Sequence, residues 1–358
     1  MSSIWGEKVK ISVFGGSHTA AIGVTIDGLP SGEKIDMDKV LLQMSRRAPG
    51  KDKTATPRCE KDFPNVICGL KDGFTTGAPL TAIIVNTNTK SSDYGAVPEL
   101  VRPGHADLTA LYKYGEHSDF RGGGHFSGRL TASIVFAGAV CRQILERKGI
   151  VIGAHALSIG SVKDISLDSL NPEKALLERL NSEYFSVINP EAKEKMYAEV
   201  EKYRMESDSI GGIVECAAIN VPKGIGEPMF QSVESVFSSI LFSIPAVKGV
   251  EFGRGFGVAE MCGSENNDPY RVDDKGNFVT ETNNAGGILG GITNGMPIVF
   301  RLAFKPTPSI GKEQKTVNTK NRENADYTIH GRHDPCIIPR AIPVVEAAAA
   351  IALMNLIK

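Results

Sequence analysis

Polar and apolar positions follow two rhythms along the first part of the chain. Residues 8–14, KVKISVF, alternate and run into GGSH, and residues 21–27, AIGVTID, form a second apolar-rich run that stops at GLPSG. In a strand successive side chains point to opposite faces, so both segments predict half-buried strands closed by turns. From Asp36 to Arg47 the pattern DMDKVLLQMSRR predicts a short helix, N-capped by the aspartate and stopped at APG. A further strand is expected at TAIIVNTN, followed by a long irregular stretch from Thr89 to Gly124 that carries RPGHAD. Irregular segments of that length are uncommon in compact domains and are more often functional than idle. From Ser127 to Lys148 apolar residues recur on nearly every face, which predicts a buried helix. Residues 190–207 form the most polar helix, a solvated surface element, and the alanine-rich PVVEAAAAIALMNLIK predicts a closely packed C-terminal helix. Strands and helices alternate, but long glycine-rich loops separate them and no clean run of βαβ units appears. The expectation is an α+β protein rather than a doubly wound sheet.

Composition changes this picture little. The 358 residues are 41% hydrophobic and 23% charged with a formal net charge of -1, so no global basic excess points to nucleic acid, and any anion site must be a local cluster. MSSIWGEKVKISVFGG has no basic-then-apolar leader, and no window of about 18 uninterrupted apolar residues follows, so a cytoplasmic location without membrane insertion is the default. Six cysteines (Cys59, Cys68, Cys141, Cys216, Cys262 and Cys336) lack CxxC pairing and read as reduced, mostly buried packing residues. His330, His333 and Cys336 are close in sequence, but Pro335 argues for a turn there and no metal site is expected.

Candidate chemistry concentrates in glycine-rich segments. In FRGGGHFSGRLTAS, residues 120–133, three glycines precede a helix, an arrangement in which backbone amides and the helix N-terminus can converge on an anion, with Arg121 and Arg129 alongside. A tight turn is the plainer reading of the same glycines. FGGSHTAAIGVTIDGLP places Ser17 and His18 after a strand end; neighbouring side chains diverge, so the two are not expected to form a nucleophile–base pair. His18, His105 and His333 are candidates for acid–base work, each weighed against an ordinary packing or surface histidine. Arg102, Arg121, Arg129, Arg332 and Arg340 all flank glycine, proline or histidine, and Arg46 and Arg47 end a helix. Guanidinium groups so placed suit bidentate binding of carboxylates and phosphates, and a polyanionic small molecule is the natural ligand.

Taken together, FGGSHTAAIGVTIDGLPSG, SRRAPG, VRPGHADLTALYKYG, AVKGVEFGRGF, NNAGGILGGITNG, KPTPSI, and GRHDPC with PRAIPVVEA after it resemble the chorismate synthase family nearly end to end. The resemblance implies a single domain over residues 1–358, a β-α-β sandwich with central helices between antiparallel sheets, and a homotetramer. It implies 1,4-anti elimination of phosphate from 5-enolpyruvylshikimate 3-phosphate to give chorismate, with reduced FMN required but not consumed. By motif, His18 would act on the departing phosphate, His105 on the reduced flavin, and Asp334 in proton removal. Ser17, Arg47, Arg102, Arg129 and Arg332 would contact substrate. His125, Phe126, Ser127, Ala246, Gly290, Lys305, Pro306, Thr307, Pro308 and Ser309, with Arg332 and Arg47, would contact flavin. Lys53 stands where many members have an arginine, at a position sometimes assigned to a nucleotide such as NADP.

The usual family form of the opening loop is close to GGGRSSARET. Here His125 replaces the arginine, Phe126 a serine, Gly128 an alanine and Leu130 a glutamate. Phe126 is expected beside the flavin or the loop, and His125 is expected to keep a hydrogen bond that the arginine would make. The length resembles the monofunctional type, which takes reduced FMN from an external reductant. A flavin-dependent oxidoreductase and an inactive flavin- or phosphometabolite-binding homologue are the alternatives.

Overall fold

The computed structural model describes residues 3–52, 54–55, 62–87, 99–329 and 334–357. Lys53, Cys59, His330, Arg332 and His333 lie outside the described residues.

Two five-stranded antiparallel sheets enclose a layer of helices. The first sheet is built from β1 (Ile4–Trp5), β2 (Lys10–Gly15), β3 (Ala21–Asp27), β4 (Pro64–Cys68) and β7 (Leu80–Val85), with the small hairpin β5–β6 (Leu70–Lys71, Phe74–Thr75) between the last two. The second contains β8 (Val151–Ile159), β9 (Val162–Lys163), β10 (Gly212–Ile219), β11 (Val247–Phe252) and β16 (Ile298–Phe304). Hairpins β12–β13 (Tyr270–Val272, Phe278–Thr280), β14–β15 (Ile288–Leu289, Ile292–Thr293) and β17–β18 (Gln314–Asn318, Glu323–Tyr327) complete the strands. Helices α1 (Met37–Arg47), α3 (Thr131–Arg147), α6 (Val233–Leu241) and α8 (Ile338–Ile357) pack centrally, while α2 (Asp107–Tyr114), α4 (Lys174–Leu180), α5 (Pro190–Met205) and α7 (Gly263–Asn266) lie outside that group. The α+β sandwich expected from the resemblance is what the chain adopts.

Sequence chemistry explains the elements that frame the site. The Asp36 side chain caps α1 by accepting from the Asp38 amide, one of the amides a helix leaves unpaired, and Arg46 and Arg47 complement the other end. In α3, 14 of 17 residues are buried, which accounts for apolar residues on every face. Gly138 lets α3 and α8 meet: a Cβ there would stand 2.3 Å from both Cα and Cβ of Ala347.

α8 begins at Ile338, five residues before the predicted start, and accommodates Pro343 within it. By length and composition α8 could cross a membrane, yet 83% of its apolar window is buried inside the protein. Glu346 in its middle is 1% exposed and ion-paired to Arg46 of α1, which marks a core helix. The surface helix α5 keeps a buried stripe of Ala192, Met196 and Val200. Two of the five described cysteines, Cys68 and Cys262, are exposed; Cys141, Cys216 and Cys336 are buried.

Strand register brings the loops together. Gly15 pairs with Ile22 and Ala21 with Val85, so the turn after β2 and the residues after β7 leave the first sheet at the same end. In the second sheet Phe304 pairs with both Gly212 and Val247, which gathers Lys305, Ala246 and Ser209 at one end.

Candidate functional site

Contrary to the sequence expectation, Ser17 and His18 do meet. Residues 16–19 close a turn in which the Thr19 amide donates to the Gly16 carbonyl, and the bend brings Ser17 Oγ to 3.1 Å from His18 Nδ1. Ser17 Oγ also donates to the Arg121 carbonyl at 3.2 Å, tying this turn to the glycine loop.

The bare glycines receive histidines. Gly122 has φ +61°, a left-handed conformation natural to glycine, and a Cβ there would fall 2.0 Å from His18 Cε1 and 2.2 Å from Nδ1. A Cβ on Gly123 would approach His105 Cε1 and Nε2 to 3.3 Å. Two adjacent positions without side chains therefore seat the two candidate acid–base residues from segments some 87 positions apart in sequence.

His105 follows β7 within a stretch that is not wholly irregular, because α2 starts at Asp107. Its Nδ1 lies 2.8 Å from Asp107 Oδ1. Arg102, expected to contact substrate, grips the same carboxylate through Nε at 2.8 Å and Nη2 at 2.7 Å. Burial pushes the Asp107 carboxyl upward, but hydrogen bonds and charge from Arg102 and His105 outweigh it and hold the group well below the usual carboxylate range. On the other side Lys305 Nζ donates to the Gly104 carbonyl at 2.5 Å, and Pro308 packs near Gly104.

A cluster of buried arginines adjoins the loop. Asp62 is buried between Arg47, whose Nη1 is 2.6 Å away, and Arg129. Burial pulls the Arg47 guanidinium down to about 10 against the pull of Asp62, with Arg340 and Arg129 depressing it further. The Asp62 carboxyl is held low because the two arginines overcome its desolvation. Arg340 Nε donates to the Arg47 carbonyl at 3.1 Å, and its Nη1 pairs with Asp334 at 2.5 Å. Asn86 links the parts: its Nδ2 donates to the Gly16 and Thr19 carbonyls at 3.0 and 2.8 Å, and its Oδ1 accepts from Arg129 Nε at 3.1 Å.

The departures in the loop have defined partners. His125 Nδ1 lies 2.8 Å from the Gly15 carbonyl and Nε2 2.8 Å from Ser3 Oγ, so the ring braces the loop against the end of β2. Phe126 is 39% exposed and its ring centroid lies 6.3 Å from that of Tyr114 at the end of α2. Ser127 accepts from the Arg129 amide at 3.2 Å, capping the turn that leads into α3.

Of the candidate flavin residues, Ala246 and Lys305 are joined through a 2.9 Å backbone hydrogen bond from the Lys305 amide. Ala246 holds φ +75°, strained for a residue with a side chain. Thr307 keeps a buried Oγ1 with no partner among the described residues, while its carbonyl accepts from Ser209 Oγ at 2.7 Å. Ser309 is buried. Gly290 is exposed at the tip of the β14–β15 hairpin. Sequence reasoning missed Asp62, Asn86 and Asp107; RPGHAD carried the last of these, two residues from its histidine.

The chorismate synthase family model matches residues 9–357. The chain is 47% identical over 350 residues to the chorismate synthase of Pyrococcus abyssi, covering 98% of this chain and 96% of that protein. It is 42% identical over 356 residues to that of Dehalococcoides mccartyi, covering 99% and 96%. A solved structure described as the crystal structure of chorismate synthase superposes with a TM-score of 0.77 at 28% identity, covering 98% of this chain and 92% of that one. With the match spanning both sheets and every loop just described, the chain belongs to the chorismate synthase family of carbon–oxygen lyases.

Proposed function

We propose that this chain eliminates phosphate from 5-enolpyruvylshikimate 3-phosphate in a 1,4-anti sense, giving chorismate and inorganic phosphate with reduced FMN bound throughout. The observation that carries this reading is the seating of His18 and His105 on adjacent glycines beside a buried arginine pair. The substrate has two carboxylates and a phosphate, and Arg47, Arg129 and Arg340 gather three guanidinium groups around Asp62 and Asp334. Guanidinium groups already desolvated and held by carboxylates are pre-organised to take a ligand's oxyanions.

The residues fit a phosphate-bearing flavin. The Thr307 hydroxyl, unpartnered among the described residues, lies in the segment expected to hold it, and Lys305, depressed by desolvation and by the neighbouring charge of Lys248, gains from an added anion. Ala246, Lys305, Pro306, Thr307, Pro308, Ser309 and Ser127 would hold the group, with Arg47 at its edge. His125 and Phe126 support the loop that carries Ser127. When bound, reduced FMN lends electron density transiently to the allylic system without net redox change.

The protein's own residues supply the proton and charge chemistry. As the carbon–oxygen bond breaks, phosphate leaves with the electron pair, and His18, aligned by Ser17, delivers a proton to it. His105, anchored through Nδ1, governs protonation beside the flavin. Asp334, paired with Arg340, belongs to the removal of the ring proton that completes the elimination. Arg47 and Arg129 orient the substrate and stabilise the charge that develops on the leaving group. We assign the whole chain to one catalytic domain that acts in the cytoplasm as a homotetramer and receives reduced flavin from an external reductant.

The test is anaerobic turnover with reduced FMN, following chorismate absorbance in wild type, His18→Ala and His105→Ala. Wild type should form chorismate, and each variant should lose about 10²- to 10⁴-fold in kcat, the usual contribution of a positioned acid or base. Wild-type rates in both variants would remove the histidines from the mechanism.

A further inference from the structure

We propose that Asp107 is a positioning residue: its carboxylate fixes His105 as the Nδ1-protonated tautomer and presents the Nε2 edge to the glycine loop. The inference rests on the elimination assigned above, in which His105 handles a proton.

Asp107 is 3% exposed and opens α2. Its Oδ2 accepts from the Arg102 amide at 3.0 Å and from Arg102 Nε at 2.8 Å, and its Oδ1 accepts from Arg102 Nη2 at 2.7 Å. An ionised carboxylate has no proton to give, so the remaining contact, 2.8 Å from Oδ1 to His105 Nδ1, requires the ring nitrogen to donate. Arg102 Nη2 lies 3.1 Å from the same Nδ1, but a protonated Nδ1 has no lone pair for it, and both groups instead share Oδ1. In the neutral ring Nε2 is then the only nitrogen able to accept a proton, and it is on the edge that approaches Gly123. Among the described residues, the charged and titratable groups around the ring are Arg102 and Asp107 at Nδ1, Lys305 on the Gly104 carbonyl, and His18 against the neighbouring Gly122.

This arrangement also gives Arg102 a different task from the one its sequence context suggests. A bidentate guanidinium keeps the carboxylate from turning toward solvent, and the carboxylate in turn stabilises the ring when Nε2 takes up a proton. Asparagine at position 107 has nearly the same shape but only one acceptor oxygen. With that oxygen turned to Arg102, its amide faces His105 as a donor, and Nδ1 must become the acceptor.

The experiment combines ring ¹⁵N NMR with kinetics on the full chain. With labelled histidine, and the His105 signals assigned by their loss in His105→Gln, a pH at which the ring is neutral should show a protonated Nδ1 and a bare Nε2 in wild type. In Asp107→Asn the protonated nitrogen should switch, kcat should fall at least about 10-fold with little change in substrate KM, and the pH–rate profile should move; Asp107→Glu should regain part of kcat. An unchanged tautomer together with an unchanged kcat and pH profile in Asp107→Asn overturns the proposal. Should that variant not fold, the wild-type spectrum decides alone, since a neutral ring protonated on Nε2 contradicts it. Wild-type turnover is read separately: no chorismate, alongside the expected ring signals, overturns the proposed reaction while the anchoring of His105 stands.

Discussion

At the scale of single residues, Gly122 shows what a missing side chain does. The left-handed backbone and the His18 ring 2.0 Å from a hypothetical Cβ both exclude larger residues, so Gly122→Ala must push the imidazole aside. A shift of about 1 Å at a catalytic group can cost on the order of 10²-fold in rate. We expect Gly122→Ala to lose about that much kcat while folding normally, as checked by steady-state kinetics beside circular dichroism. Near wild-type activity would mean that His18 does not work from this seat.

The segments carrying Gly122, Gly123, His18, His105 and Arg129 stand out in the sequence because each is short and distinctive, and the fold brings them together. Asp62 and Asn86 do not stand out, for a physical reason: an aspartate or asparagine after a strand or loop is the commonest of turn residues, and only the fold reveals that it faces buried guanidinium groups. The Ser17–His18 contact was misjudged because the divergence of neighbours holds in strands and fails in a tight turn.

At the scale of elements, periodicity located β3 and α1 closely, since each buries one face and shows the alternation or spacing of that face. It failed for α2, whose eight residues bury only Asp107 and Ala110 and so give little periodic signal. The core pairing of Arg46 with Glu346, and of His155 with Asp164 and Glu215, was equally hidden, because partners in each lie on different elements. The contact of α3 with α8 supports the site, because Arg129 and Thr131 precede or start one helix and Arg340 lies in the first turn of the other. At Gly138 two tendencies oppose each other. Alanine favours a helix by about 1 kcal/mol over glycine, but overpacking against Ala347 costs typically about 1–3 kcal/mol. With 2.3 Å to a backbone atom that cannot rotate away, the clash prevails, and urea unfolding of Gly138→Ala should show a net loss of up to about 2 kcal/mol. A gain in stability would show that the two helices do not approach this closely.

At the scale of the whole molecule, the fold and the proposed chemistry depend on each other. The two sheets sandwich the helices, and loops from the first sheet reach those of the second where Lys305 meets Gly104, so residues from β2, β7, α1, α3, α8 and β16 converge on one region. A net charge of -1 leaves the molecule without a general attraction for anions, so the proposed anion site depends on the local cluster of Arg47, Arg129 and Arg340. The central claim is an elimination in which flavin is needed but not spent, and the most direct measurement is stoichiometry. Purified protein, excess 5-enolpyruvylshikimate 3-phosphate and a limiting amount of reduced FMN are mixed without oxygen, and phosphate, chorismate and the flavin spectrum are followed together. The expected result is equal phosphate and chorismate, many molecules of each per flavin, with the flavin still reduced at the end. Product that stops at one equivalent per flavin as the flavin becomes oxidised would contradict the elimination and identify a reductive reaction instead.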